Sequence, residues 1–141
     1  MKDPWCLVSS HPAAKTADLK RRYGRRFSIE EMFRDVKGWR FGMGMSWHKI
    51  GRPERRDRVF LIAAFAQGLL TLLGEAGERV GLDRMLKTNT SKTRTLSLFR
   101  QGRLWYDQLP MMPEERLRTQ MVAFDALSAD HPVYAIVAGE K

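Results

Sequence analysis

Four side chains suited to a phosphodiester recur in one short stretch: Tyr23, Arg26, Glu30 and Lys37. A carboxylate holds a divalent metal through hard oxygen ligands. Arginine and lysine grip phosphates, arginine in a bidentate way. A phenol donates a hydrogen bond to a phosphate oxygen. At about 100° per residue, Arg26, Glu30 and Lys37 fall near −60°, −20° and −40° from Tyr23, so a continuous helix carries all four on one narrow face. The same residues also fit an ordinary amphipathic helix with an Arg26–Glu30 pair four residues apart.

The charge around this stretch points to a polyanionic partner. The chain of 141 residues carries a formal net charge of +9. Residues 1–58 hold 15 Lys and Arg against 7 Asp and Glu, whereas residues 59–141 hold 10 against 9. A block of this kind most often meets nucleic acid; a solvated basic face fits the composition as well. The single cysteine, Cys6, excludes a disulfide framework and reads as inert core. His11, His48 and His131 lie too far apart in sequence for metal-ligand spacing. No apolar run reads as long enough to span a bilayer, and no signal peptide is legible, so the expected setting is intracellular, without a membrane partner.

The elements that must position the four residues are mostly helices. The apolar run Trp5–Ser10 predicts a short buried strand. Residues 13–24 predict a helix, and Ser28 with Glu31 predicts a capping box that opens a second helix ending at Gly38, with a kink between the two. Residues 38–52 predict a loop in which Arg40, Lys49 and Arg52 alternate with Trp39, Phe41 and Trp47. That loop suits two readings equally: a wrap around a DNA strand, or aromatics packed under the next helix. Arg55, Arg56 and Arg58 either extend such a footprint or face solvent. Pro53 opens a helix predicted to stop at Gly74, and its segment Val59–Ala66, apolar on every side, predicts burial. Beyond it, a short helix near Leu82–Leu86, a helix within 95–109, a helix from Pro113 with Leu117, Met121, Phe124 and Leu127 on one stripe, and a short strand at Val133–Val137 complete the expectation. The fold class is therefore mainly α with one or two short strands.

The order Tyr23, Arg26, Glu30, Lys37 resembles the Y-R-E-K signature of insertion-sequence DDE transposases. The strand before it, the run Ile29–Phe33, the residues Asp35–Gly38 and the apolar helix after a basic loop are similar to that family too. The resemblance covers about residues 4–74, is weaker over 95–105, and ends before Pro110. It implies a C-terminal piece of a ribonuclease-H-like α/β domain over residues 1–74, followed by a helical extension over 75–141. It implies that Glu30 is the third carboxylate of a triad that binds two Mg²⁺ or Mn²⁺ ions, and that Tyr23, Arg26 and Lys37 contact double-stranded DNA at the transposon end. It also implies a homodimer in a synaptic complex and a cytoplasmic, nucleoid-associated location. The family's two catalytic Asp lie in strands upstream of the signature, and only Asp3 precedes the first expected strand here, in no plausible triad position. The expectation is thus DNA binding without catalysis by this chain alone, because in-line displacement needs both metals. The alternative from another class is a non-catalytic basic helical module for DNA or RNA.

Overall fold

The computed structural model describes residues 6, 8–38, 40 and 42–131. Among these the chain is mainly helical, and no strand is present. Four helices follow in order: α1 (Thr16–Lys37), α2 (Pro53–Arg79), α3 (Leu98–Gln108) and α4 (Glu114–Asp130). Short 3₁₀ turns at Met45–Trp47, Leu82–Leu86 and Leu109–Met111 punctuate the connections.

α1 runs unbroken through Ser28, so the expected kink and capping box are absent. The residue at its N-cap is Lys15, which makes no side-chain cap bond. The stretch from Ala17 to Lys37 contains no proline and many straight-chain residues, so continuing the backbone ladder outweighs a local cap at Ser28. Ion pairs one turn apart support it: Arg21–Asp18 at 2.9 Å, Arg34–Glu31 at 3.7 Å and Arg26–Glu30 at 3.9 Å. Such exposed pairs contribute about 0.3–0.5 kcal/mol each. The segment after α1 curls back onto its end, with Gly38 N–H donating to Arg34 O at 2.7 Å and Met43 N–H to Asp35 O at 2.8 Å. Carbonyls left open at a helix C-terminus thereby find donors.

α2 does not stop at Gly74; it continues to Arg79. Gly74 is there for another reason. A Cβ on it would sit 1.9 Å from Leu98 O of α3, and a Cβ on Gly102 would sit 1.7 Å from Leu70 O of α2. The two glycines let the α2 and α3 backbones touch. α3 opens at Ser97, whose hydroxyl accepts from Arg100 N–H at 3.3 Å. α4 starts after Pro113, which sits at its N-cap rather than in the first turn.

The core lies between the C-terminal half of α2, α3 and α4. Leu73, Leu82 and Trp105 form one buried cluster, with Met121 and Phe124 packed against it. Leu72, Ala76 and Leu127 form the other. The α4 stripe read from the sequence thus meets the core at Met121, Phe124 and Leu127. Gln120 is also fully buried on α4, and its Nε2 donates to Leu73 O at 3.4 Å.

Three expectations fail here. Cys6 and residues 8–10 are not in a strand, and Cys6 is exposed rather than core. A lone strand has no neighbour to take its backbone groups, and none is present among the described residues. Trp5 and Leu7, and the strand expected at Val133–Val137, lie outside the described residues. Val59–Ala66 is not a buried segment: Leu61 is 59 % and Ile62 66 % exposed, and only Ala63 is buried. The buried clusters under α3 and α4 begin at Leu72, and in the first half of α2 only an open groove beside α1 lies over Ala63, which leaves Leu61 and Ile62 exposed. Apart from these three, α2 is long and apolar enough to cross a membrane by length and composition, a test that the core helix of a soluble protein also passes.

Candidate functional site

α1 carries the four signature positions. Being a single helix, it keeps Tyr23, Arg26, Glu30 and Lys37 in register over about 21 Å at roughly 1.5 Å per residue. No residue of α1 is buried. Arg26 Nε lies 3.9 Å from Glu30 Oε1, and the side chains are 69 % and 63 % exposed. The Tyr23 ring meets Phe27 edge to face with centroids 6.2 Å apart. Lys37 Nζ stands 5.5 Å over the Phe33 ring. The aromatic rings thus flank the polar signature positions and limit where their side chains swing.

The N-terminal half of α1 is strongly cationic. Lys20, Arg21, Arg22, Arg25 and Arg26 are all exposed, against the single acid Asp18. The C-terminal half mixes signs around Glu30, Glu31, Arg34, Asp35 and Lys37. Burial pushes the Asp35 carboxyl above its ordinary value of 3.8, an effect that Arg34 opposes, Glu31 reinforces and Arg100 opposes. Asp35 shares a pocket with Arg34, Arg40, Ser97 and Arg100, where the end of α1 meets the start of α3.

The described residues do not fit a two-metal centre. No group of three or more His, Cys, Asp or Glu side chains among them is placed to hold an ion. Glu30 is an exposed carboxylate whose neighbour across one turn is a guanidinium. One such group cannot hold two divalent ions.

A second basic site was only half legible. Lys49, Arg52, Arg55 and Arg58 line one concavity of about 490 Å³ with Ile50, Gly51 and Val59. Its four cations come from the end of the loop and the first turns of α2, two segments that sequence reading treats separately. The signal was the absence of any acid between Asp35 and Glu54. Of the loop aromatics, Trp47 is 71 % exposed and so does not pack under α2; Trp39 and Phe41 lie outside the described residues. The nearby apolar groove between Met32, Phe33 and Val36 of α1 and Phe60, Ala63 and Ala64 of α2 also has Lys37, Glu75 and His131 in its lining. Comparison of the chain with family profiles, characterised proteins and solved structures returns no match.

Proposed function

We propose that this chain is the C-terminal, end-binding part of a DDE transposase with a ribonuclease-H-like catalytic domain. In this reading it binds double-stranded transposon ends through α1 and is inactive alone. The observation that carries the reading is the continuity of α1. A break at Ser28 would throw Tyr23 and Arg26 out of line with Glu30 and Lys37, whereas the unbroken helix keeps the four on one exposed face.

The chemistry assigned to each residue follows from its type. Arg26 exchanges its weak contact with Glu30 for a bidentate grip on a phosphate, a stronger charge-assisted bond. Lys37 supplies a point charge one end of the face away. The Tyr23 hydroxyl donates to a phosphate or sugar oxygen, with its ring held against Phe27. Glu30 becomes a metal ligand only where two further carboxylates join it, so Mg²⁺ or Mn²⁺ belongs to the complete transposase, as does the synaptic homodimer. The open first half of α2 supports the same reading, because an apolar helix of this kind needs a layer over Leu61, Ile62 and Phe65. Cytoplasmic, nucleoid-associated localisation accompanies this proposal.

The lone Glu30 favours a second reading, a non-catalytic basic helical module that binds DNA or RNA through phosphates. Equilibrium binding to inverted-repeat duplexes sought in the DNA on either side of the gene, against shuffled duplexes of equal length, separates the two. The transposase reading expects tighter binding to the repeats, by about tenfold or more on the scale of specific over non-specific contacts. Equal affinity for both duplexes at every salt concentration contradicts it and leaves the module.

A further inference from the structure

We infer that the groove lined by Lys49, Arg52, Arg55 and Arg58 is a second, sequence-independent phosphate-binding surface, which takes a nucleic-acid backbone beside the α1 face. The inference rests on the DNA-binding reading and extends it to a site that the signature does not include. All four cations line the same concavity, and no carboxylate does. Glu54 and Asp57 lie on the same two turns of α2 but outside the lining. Lys49, Arg52, Arg55 and Arg58 are all exposed, so their charges are accessible to a ligand from solvent. Ile50 and Val59 are half-buried and give the groove an apolar floor.

This pattern suits a phosphodiester chain better than an isolated anion. A groove of four cations spread over a loop end and two helical turns matches several phosphates in succession. Guanidinium groups are suited to phosphate oxygens, and the apolar floor suits sugar or base edges. The polar lining is Lys and Arg alone, and an array of four cations acts chiefly on successive phosphates, so the groove is assigned to affinity rather than sequence choice.

The test is a fluorescence-anisotropy titration of the full chain with a duplex of arbitrary sequence over a series of salt concentrations. The variants combine Arg52→Gln, Arg55→Gln and Arg58→Gln in one chain, and Arg52→Lys, Arg55→Lys and Arg58→Lys in another. Removing cations from the first turns of a helix does not weaken the helix, and circular dichroism confirms equal helicity. The glutamine variant is expected to flatten the slope of log Kd against log salt by about 2–3, while the lysine variant keeps it. A wild-type slope unchanged in the glutamine variant overturns the groove and leaves the α1 reading standing. No salt-dependent binding by the wild type overturns both. A glutamine variant that loses phosphatidylserine vesicles but keeps the duplex overturns the nucleic-acid assignment in favour of a lipid surface.

Discussion

Glu30 and Glu78 are both glutamates on long helices, and their surroundings give them different work. Glu30 is exposed and faces one distant guanidinium. We predict that the chain alone does not nick supercoiled plasmid in Mn²⁺; robust cutting that Glu30→Ala abolishes would refute this. Glu78 is a structural group. Arg94 donates to both of its oxygens, at 2.7 and 2.6 Å, and Gln101 Nε2 donates at 2.7 Å. The Arg94 hydrogen bonds hold its carboxyl below the ordinary value of 4.5, against partial burial and with help from Gln101. Because the folded-state value is depressed, the stabilisation is present above pH 4.5 and is lost as pH falls through the depressed value. Glu78→Gln is expected to cost about 1–2 kcal/mol at neutral pH, an amount reduced because Arg94 is half-exposed. Thermal melts followed from pH 7 to 3 should show the wild type converging on the variant at the acid end.

The helices carry the next set of constraints. Where α2 and α3 cross, Gly74 and Gly102 bring carbonyl oxygens within 2 Å of where a Cβ would be, at 1.9 and 1.7 Å. The obstacle is backbone, so no side-chain rotation relieves it. Gly102→Ala is therefore expected to destabilise by about 3 kcal/mol or more, the upper range for overpacking. A melting temperature within a few degrees of wild type would contradict the crossing. Trp105→Ala removes the largest buried side chain and is expected to cost about 3–5 kcal/mol. Sequence reading found the helix types here, and the α4 stripe met the core. It misread Gly74 as a stop, because a glycine selected for close approach looks the same in one dimension as a terminator. It likewise took Ser28–Glu31 for a cap, because the pattern carries no record of whether the preceding residues are already helical. Val59–Ala66 looked buried because composition reports only that a segment needs cover, not that cover is at hand.

At the scale of the molecule, the chain divides its work along α2. The C-terminal half of α2 is locked under α3 and α4, while α1 and the first half of α2 present cations and apolar side chains outward. The positive excess lies almost wholly in the outward part, so charge counting alone marked out the region to which binding is proposed here. The cations of the groove at the start of α2 were legible, but not their shared concavity, since it joins a loop end to a helix start. What separates a DNA-end reader from a general polyanion binder is whether the α1 face acts through geometry or through charge alone. The deciding measurement is binding of the terminal-repeat duplex and a shuffled duplex by wild type and by the charge-keeping variants Tyr23→Phe, Arg26→Lys and Lys37→Arg. Each variant is expected to lower the preference for the repeats several-fold with the salt slope unchanged, because charge is conserved while the bidentate fork, the compact ammonium or the hydroxyl is lost. Variants that bind both duplexes as the wild type does would contradict that expectation.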